Sequence, residues 1–455
     1  MAQAHSFELI VIGSGAAGGV AAQIAANEGH KVAIIESDKA GGATPNSACI
    51  PTKSLLTAAS AYQSAKTSKR YGIRVSSVAY NYPSVLSWKE KVIKQTGVRD
   101  ADRAYKHEHI TYIQGTAQFI NQHTIQVGEE QYSADKFLIA TGSSNHIPTI
   151  DGMNEPTDYI TSNQALELKS PPKSLIIVGG GATGVEFAEL FNSFGTNVTL
   201  VERETRLLPK EDKEVGVLVE SSLSSRGVTV LTGTTIEKFE RAPRNKKVLT
   251  MTKGAHDVTS SADEILITTG REANIDLGLD AADISYDHKG IVVTSTMQTS
   301  KKHIFAAGDV TGKSKYTHVS TYQARIAAHN MFHKDKVSAH YGVIPRTVYS
   351  WPEVAAVGLT EEQLPHGKTT YRSITLPISV TARSMITGED VGFVRIHASS
   401  DGTIAGASIV APRATDMIAE LVLAMQHGIK VQDIANTLHA FPSWSDAVRV
   451  ACSQF

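Results

Sequence analysis

One stretch of the chain occurs twice. Residues 7–36 read FELIVIGSGAAGGVAAQIAANEGHKVAIIE, and residues 173–202 read KSLIIVGGGATGVEFAELFNSFGTNVTLVE. Each copy runs from an apolar strand through Gly-x-Gly-x-x-Gly into a helical pattern and a second strand ending in Glu. The register is shared: 23 residues separate Gly13 from Glu36, and 23 separate Gly179 from Glu202. A lone glycine fingerprint is weak evidence, but one that follows a strand, opens a helix and precedes an acidic residue by about 20 positions is specific. The first glycine (Gly13, Gly179) permits the tight turn, and the second (Gly15, Gly181) lets backbone approach a pyrophosphate. The third (Gly18, Gly184) packs helix on strand. Free N–H groups and the dipole at the helix start hold phosphate, and Glu36 and Glu202 accept hydrogen bonds from ribose. Two copies therefore predict two dinucleotide sites in an α/β chain.

Composition bounds the rest. The 455 residues give a prior of about three domains. Lys plus Arg (44) balances Asp plus Glu (45), for a net charge of −1. A nucleic-acid or anionic-membrane binder carries a basic excess, so neither partner is expected. Two cysteines, Cys49 and Cys452, exclude a disulfide-stapled secreted scaffold and fit a reducing cytoplasm. The N-terminus lacks the basic and apolar regions of a signal peptide, and the best apolar run, from Leu9 to Ala26, is interrupted by glycines and Gln23. No membrane insertion and no metal site are expected.

Further strand-turns end in Thr141-Gly142, in Thr269-Gly270 and in Gly308-Asp309. With the repeat, they resemble the pyridine-nucleotide disulfide oxidoreductases, FAD enzymes that include dihydrolipoamide dehydrogenase, glutathione reductase and mercuric reductase. The similarity covers almost the whole chain. The Gly13 fingerprint with Glu36 looks like the family's FAD motif, and the Gly179 fingerprint with Glu202 like its nicotinamide motif. Thr141, Gly142, Gly308 and Asp309 match remaining FAD contacts. Pro352–Glu361 looks like the start of the dimerisation domain. The resemblance implies two Rossmann-like domains, for FAD and NAD(P), plus a C-terminal α+β dimerisation domain. The expected boundaries are 1–149 and 271–340 for the FAD domain, 150–270 for the NAD(P) domain and 341–455 for the dimerisation domain. A homodimer whose subunits complete each other's active sites is implied as well. Glu202 repels a 2′-phosphate and favours NADH, while Arg203 and Arg206, expected as a solvated surface pair, leave NADPH as the alternative.

The chain departs from the family's pattern twice. The redox centre reads Gly-Gly-Thr-Cys, four residues, then Cys-Ile/Val-Pro-Ser/Thr-Lys in the family. Here, after Gly41-Gly42-Ala43, Thr44 stands at the first Cys, while Cys49-Ile50-Pro51-Thr52-Lys53 keeps the second. Thiol–disulfide exchange needs two sulfurs, so the usual disulfide step is not expected. The family's C-terminal His-x-His-Pro-Thr-x-x-Glu reads His439-Ala440-Phe441-Pro442-Ser443-Trp444-Ser445-Asp446, which puts Phe441 at the acid/base position. His439 is expected to be a satisfied structural residue. The interchange thiol and its proton donor serve one step, and both are missing, while the dinucleotide motifs remain.

Cys49 lies at the start of a helical pattern, where a thiolate is favoured. In the family this sulfur touches the flavin, Lys53 and Glu186 pair beside it, and a helix start at Thr317-His318 points at its pyrimidine edge. Cys49, Lys53 and Glu186 are the expected catalytic residues. Thr44, Lys53, Gly270 and His318 join the cofactor-binding set. The expected activity is hydride transfer from NADH to FAD and then directly to a small acceptor such as a quinone or dye, with Phe441 and Trp444 lining an aromatic face for it. The alternatives are dihydrolipoamide dehydrogenase-like or mercuric reductase-like activity, a single-cysteine NADH peroxidase or oxidase using Cys49, and a non-enzymatic flavoprotein subunit.

Overall fold

The computed structural model describes residues 5–365, 367 and 369–455. By compactness the chain divides into two units. The first takes the chain up to Leu55, with Asn81–His146 and Gly270–His340; the second takes Leu56–Tyr80, Ile147–Thr269 and Tyr341–Phe455.

The first unit is built on a sheet whose parallel strands run in the order Ile110–Gln114, Val32–Glu36, His5–Ile12, Glu130–Ile139, Ile304–Ala306. Leu9, Ile10, Val11 and the whole of Val32–Glu36 are buried. That is the continuous apolar reading of strands covered on both faces. The antiparallel strands Ala117–Asn121 and Thr124–Val127 complete a meander with Glu130–Ile139. Helix Ala16–Asn27 packs its small residues, Ala17, Ala21 and Ala25 among them, towards helix Thr317–Phe332 and the sheet.

The second unit repeats the plan. Its parallel sheet runs Thr229–Leu231, Asn197–Val201, Ser174–Val178, Glu264–Ile267, Ile160–Thr161, with an antiparallel meander at Thr234–Ala242, Lys246–Lys253 and His256–Ala262. The match reaches single hydrogen bonds: Gly13 N donates to Ile35 O at 2.7 Å, and Gly179 N to Val201 O at 2.8 Å. The same unit carries an antiparallel sheet ordered Arg346–Val348, Glu353–Gly358, Ile404–Ala411, Phe393–Ser399, Tyr371–Pro377. Helices Ala414–His427, Val431–Asn436 and Asp446–Cys452 close its core, which includes Ile396, Ile409, Leu421 and Val448. Among the described residues no helix is long and apolar enough to cross a membrane.

Candidate dinucleotide sites and redox loop

The two fingerprint loops have one geometry. A Cβ on Gly18 would fall 1.8 Å from Gly13 O, and one on Gly184 would fall 1.8 Å from Gly179 O, so no other residue fits where helix meets turn. At the second glycine the reverse holds. A Cβ on Gly181 would meet nothing within 4 Å, and one on Gly15 only Gly42 Cα at 3.9 Å. The backbone at the second glycine is therefore open to close approach. Helices Ala16–Asn27 and Ala182–Ser193 start there with no side-chain cap and no acidic residue in the first turn. Their leading N–H groups and positive dipole ends are thus offered to an anion. Both sites fit a dinucleotide pyrophosphate.

Both carboxylates are held by backbone N–H groups of their own loops. Glu36 accepts from Ser14 N (2.8 Å), Ser14 Oγ (2.7 Å) and Asp38 N (2.9 Å). Glu202 accepts from Gly180 N (2.6 Å) and Glu204 N (2.8 Å). The first loop is pinned further, because Tyr105 Oη donates to Ser14 O at 2.7 Å and Gly41 N to Ser14 Oγ at 3.1 Å. Tyr105 stacks on Tyr112, and burial raises both phenols, Tyr112 to about 12. Neither tyrosine belongs to the fingerprint, and no periodicity points to them.

Thr141, Gly142 and Asp309 come together at the carboxyl end of the first sheet. Thr141 Oγ1 donates to Asn274 O (2.7 Å), and Asn274 N donates to Gly142 O (3.0 Å). Ser143 Oγ donates to Asp309 Oδ2 at 2.6 Å. Arg271, one residue after Gly270, donates through Nε to Ser143 Oγ (2.8 Å) and lies 4.0 Å from Asp309. Gly308 N donates to the buried Gln323 Oε1 at 2.7 Å. Exposed His318 stacks on Tyr316.

Gly42 has φ +65° and presses against Gly15, where a Cβ would fall 2.7 Å from the Gly15 Cα. Asn46 Nδ2 donates to Ala40 O (2.9 Å) and Gly42 O (2.8 Å), and Arg99 Nε donates to Asn46 Oδ1 (2.8 Å). On this fixed loop Thr44 Oγ1 lies 3.1 Å from Thr317 Oγ1, and Cys49 Sγ lies 3.6 Å from the same hydroxyl. Cys49 opens the helix Cys49–Thr67, with Lys53 one turn on; Thr317 opens the helix Thr317–Phe332. The cluster holds one sulfur and two hydroxyls.

In the second unit Glu186 is buried on helix Ala182–Ser193 and accepts from Tyr349 N at 3.0 Å. His439 is held through both ring nitrogens, by Glu420 Oε1 (2.9 Å) and Thr437 O (3.0 Å), so it is a satisfied structural histidine here. Phe441 is 75% exposed, whereas Trp444 belongs to the core of the C-terminal domain. The expected aromatic face therefore loses Trp444, because the indole packs inward with helix Asp446–Cys452. Asp446 accepts from Arg449 Nε at 2.7 Å. Cys452 is buried and free, and burial, with the nearby Glu420 charge, pushes its thiol up to about 12. Arg203 and Arg206 are not a solvated pair: Arg203 is exposed, but Arg206 is largely covered and bonded to Glu362.

Two dinucleotide folds, a single-thiol loop opposite a helix start and an antiparallel C-terminal domain define a two-nucleotide redox enzyme. The comparisons agree on the family. The model of the pyridine nucleotide-disulphide oxidoreductases matches residues 7–324, and that of their dimerisation domain matches 344–452. A mercuric reductase of Lysinibacillus sphaericus is 32% identical over 453 residues, 99% of this chain and 83% of that one. A dihydrolipoyl dehydrogenase of Geobacillus stearothermophilus is 34% identical over 446 residues, 96% and 93% of the two chains. Among solved structures, the HOCl-induced flavoprotein disulfide reductase RclA of Escherichia coli superposes with a TM-score of 0.88 at 26% identity, covering 98% of this chain and 99% of its own. The chain belongs to the pyridine nucleotide-disulphide oxidoreductase family of flavin-dependent enzymes.

Proposed function

We propose that this chain is an FAD-dependent NADH:acceptor oxidoreductase that passes electrons to a small acceptor such as a quinone without a disulfide relay. The carrying observation is the cluster of Thr44, Thr317 and Cys49, with its single sulfur. One thiol cannot close an intrachain disulfide. Cys452 is a poor second thiol, being buried in the core with its deprotonation opposed. Phe441 holds no proton, and His439 is committed to Glu420.

FAD supplies the hydride-accepting ring between nicotinamide and acceptor. In this reading the Gly13 fingerprint, Glu36, Thr44, Thr141, Gly142, Gly308, Asp309 and His318 hold FAD. The Gly179 fingerprint, Glu202 and Gly270 hold the nicotinamide cosubstrate. Lys53 and Glu186 would tune the bound ring electrostatically, and Cys49 would supply a thiol to the same site. Residues 1–149 and 271–340 form the FAD domain, 150–270 the NAD domain and 341–455 the dimerisation domain of a homodimer. The setting is a reducing cytoplasm, in keeping with two free cysteines.

Anaerobic addition of NADH to the purified holoprotein, followed by menadione or lipoamide in parallel cuvettes, tests the reading. The expected result is bleaching of the flavin absorbance by NADH and recovery with menadione alone. Recovery with lipoamide sinks the direct exit and returns the disulfide step. A second reading, a redox cycle at the lone Cys49, is favoured by its seat at a helix start beside the Thr317 hydroxyl. Complete loss of menadione turnover on alkylating Cys49 would select it.

A further inference from the structure

The two copies of the repeat part company just after the acidic residue. Glu36 is followed by Ser37, Asp38 and Lys39, whereas Glu202 is followed by Arg203, Glu204, Thr205 and Arg206. An arginine near the ribose carboxylate is the group that accommodates a 2′-phosphate. The segment after Glu202 folds back onto its own fingerprint. Leu208 N donates to Gly180 O at 3.0 Å, and a Cβ on Gly180 would meet Leu207 Cδ2 at 2.6 Å and Glu202 Cβ at 2.8 Å. Arg206 is thus the residue before those that touch the glycine loop.

Its guanidinium is already taken. Nη1 donates to Glu362 Oε1 at 3.0 Å and Nη2 to Glu362 Oε2 at 2.8 Å, fork to fork, and Nη2 also reaches Pro209 O at 3.3 Å. Glu362 sits in the short turn Glu361–Gln363 of the C-terminal domain, which Thr360 and Gln363 hold by a reciprocal cap. The other acids near Arg206 are engaged elsewhere. Asp212 is bonded by His397 and Ser408, and Glu214 pairs with Arg395. Arg203, the other arginine of the loop, is 78% exposed and lies 3.6 Å from Glu204.

We propose that Glu362 is a specificity-determining positioning residue: it holds Arg206 out of use, so that Glu202 alone reads the adenosine ribose and selects the 2′-hydroxyl dinucleotide. The inference rests on the reading of the second fingerprint as the nicotinamide site. A 2′-phosphate arriving there meets a carboxylate fixed by Gly180 N and Glu204 N, with its nearest bidentate cation neutralised. Without Glu362, the fork of Arg206 is released to a phosphate, the other planar group it fits.

Calorimetric titration of the oxidised holoprotein with NAD+ and with NADP+ tests this without turnover. Glu362→Ala is expected to tighten NADP+ by roughly tenfold, the scale of one charge-assisted pair, and to leave NAD+ within about twofold. Adding Arg206→Ala should cancel that gain, because the effect runs through Arg206; Glu362→Gln should give part of it. Unchanged NADP+ affinity in Glu362→Ala, with NAD+ still bound, overturns the role of Glu362 and leaves the site reading standing. Wild-type protein that binds neither nucleotide overturns the site reading and this inference together.

Discussion

Thr317 Oγ1 is the shared neighbour of Thr44 Oγ1 (3.1 Å) and Cys49 Sγ (3.6 Å), so one small change at position 44 decides how many sulfurs the loop holds. The loop itself is braced by Asn46, Arg99 and the Gly42–Gly15 approach. It should therefore keep its shape when Thr44 becomes Cys. Because both side chains end on the Thr317 hydroxyl, the expectation is that Thr44→Cys closes a disulfide with Cys49 under air. The variant has three cysteines, yet thiol titration of the denatured, unreduced protein should find one, Cys452. Three titratable thiols would show that the side chains do not meet. A positive result should also bring lipoamide reduction back in part, limited by Phe441, which offers no proton where the family places a histidine.

At the scale of elements, what could be read from the sequence is what local backbone physics enforces. The fingerprints were legible because Gly18 and Gly184 admit no Cβ and because strand, turn and helix follow within 30 residues. The parallel strands were legible as unbroken apolar runs. Partners brought in from afar were not. Tyr105 lies 91 residues from the Ser14 carbonyl it holds, and Glu362 lies 156 from Arg206. Trp444 illustrates the same limit: an aromatic residue in a loop carries no mark of whether it faces solvent or core. The segment Glu211–Glu214 is another case. It reads as an unremarkable charged turn, yet Glu211 takes Arg346 in a bidentate pair, and buried Asp212 accepts from His397 (3.3 Å), Ser408 Oγ (2.5 Å) and Glu361 N (2.8 Å). Burial alone would push the Asp212 carboxyl up; the His397 contact, with Ser408 and Glu361, outweighs it and holds the carboxyl at about 2. A carboxyl depressed from about 3.9 stabilises the fold above that pH, and the stabilisation is lost as pH falls towards 2. Asp212→Asn should therefore lower the urea midpoint at pH 7, and the gap between variant and wild type should close between about pH 4 and pH 2. A gap that is the same at pH 7 and pH 2.5 would mean that the Asp212 charge is not what holds the segment.

For the whole molecule the question is what covers the apolar side chains of the C-terminal domain. Leu438 is 98% exposed, Phe441 75% and Leu423 58%. They are not scattered along an unfastened tail, because the His439–Glu420 contact ties residues 437–439 to the helix Ala414–His427 that carries Leu423. Large apolar side chains grouped on a folded surface mark an interface. Here the surface belongs to a segment that matches a dimerisation-domain model. The expected state is a homodimer, read by light scattering on a sizing column as twice the 48.8 kDa of one chain. Leu438→Asp with Phe441→Asp puts two charges into that interface without touching either fingerprint, so it should shift the mass towards one chain while FAD stays bound. Wild-type protein that runs as one chain at micromolar concentration would leave these residues uncovered. It would also remove the homodimer, and Phe441 would then meet no flavin but one reached within its own chain. The oligomeric state thus bears on the proposed acceptor site as well as on assembly.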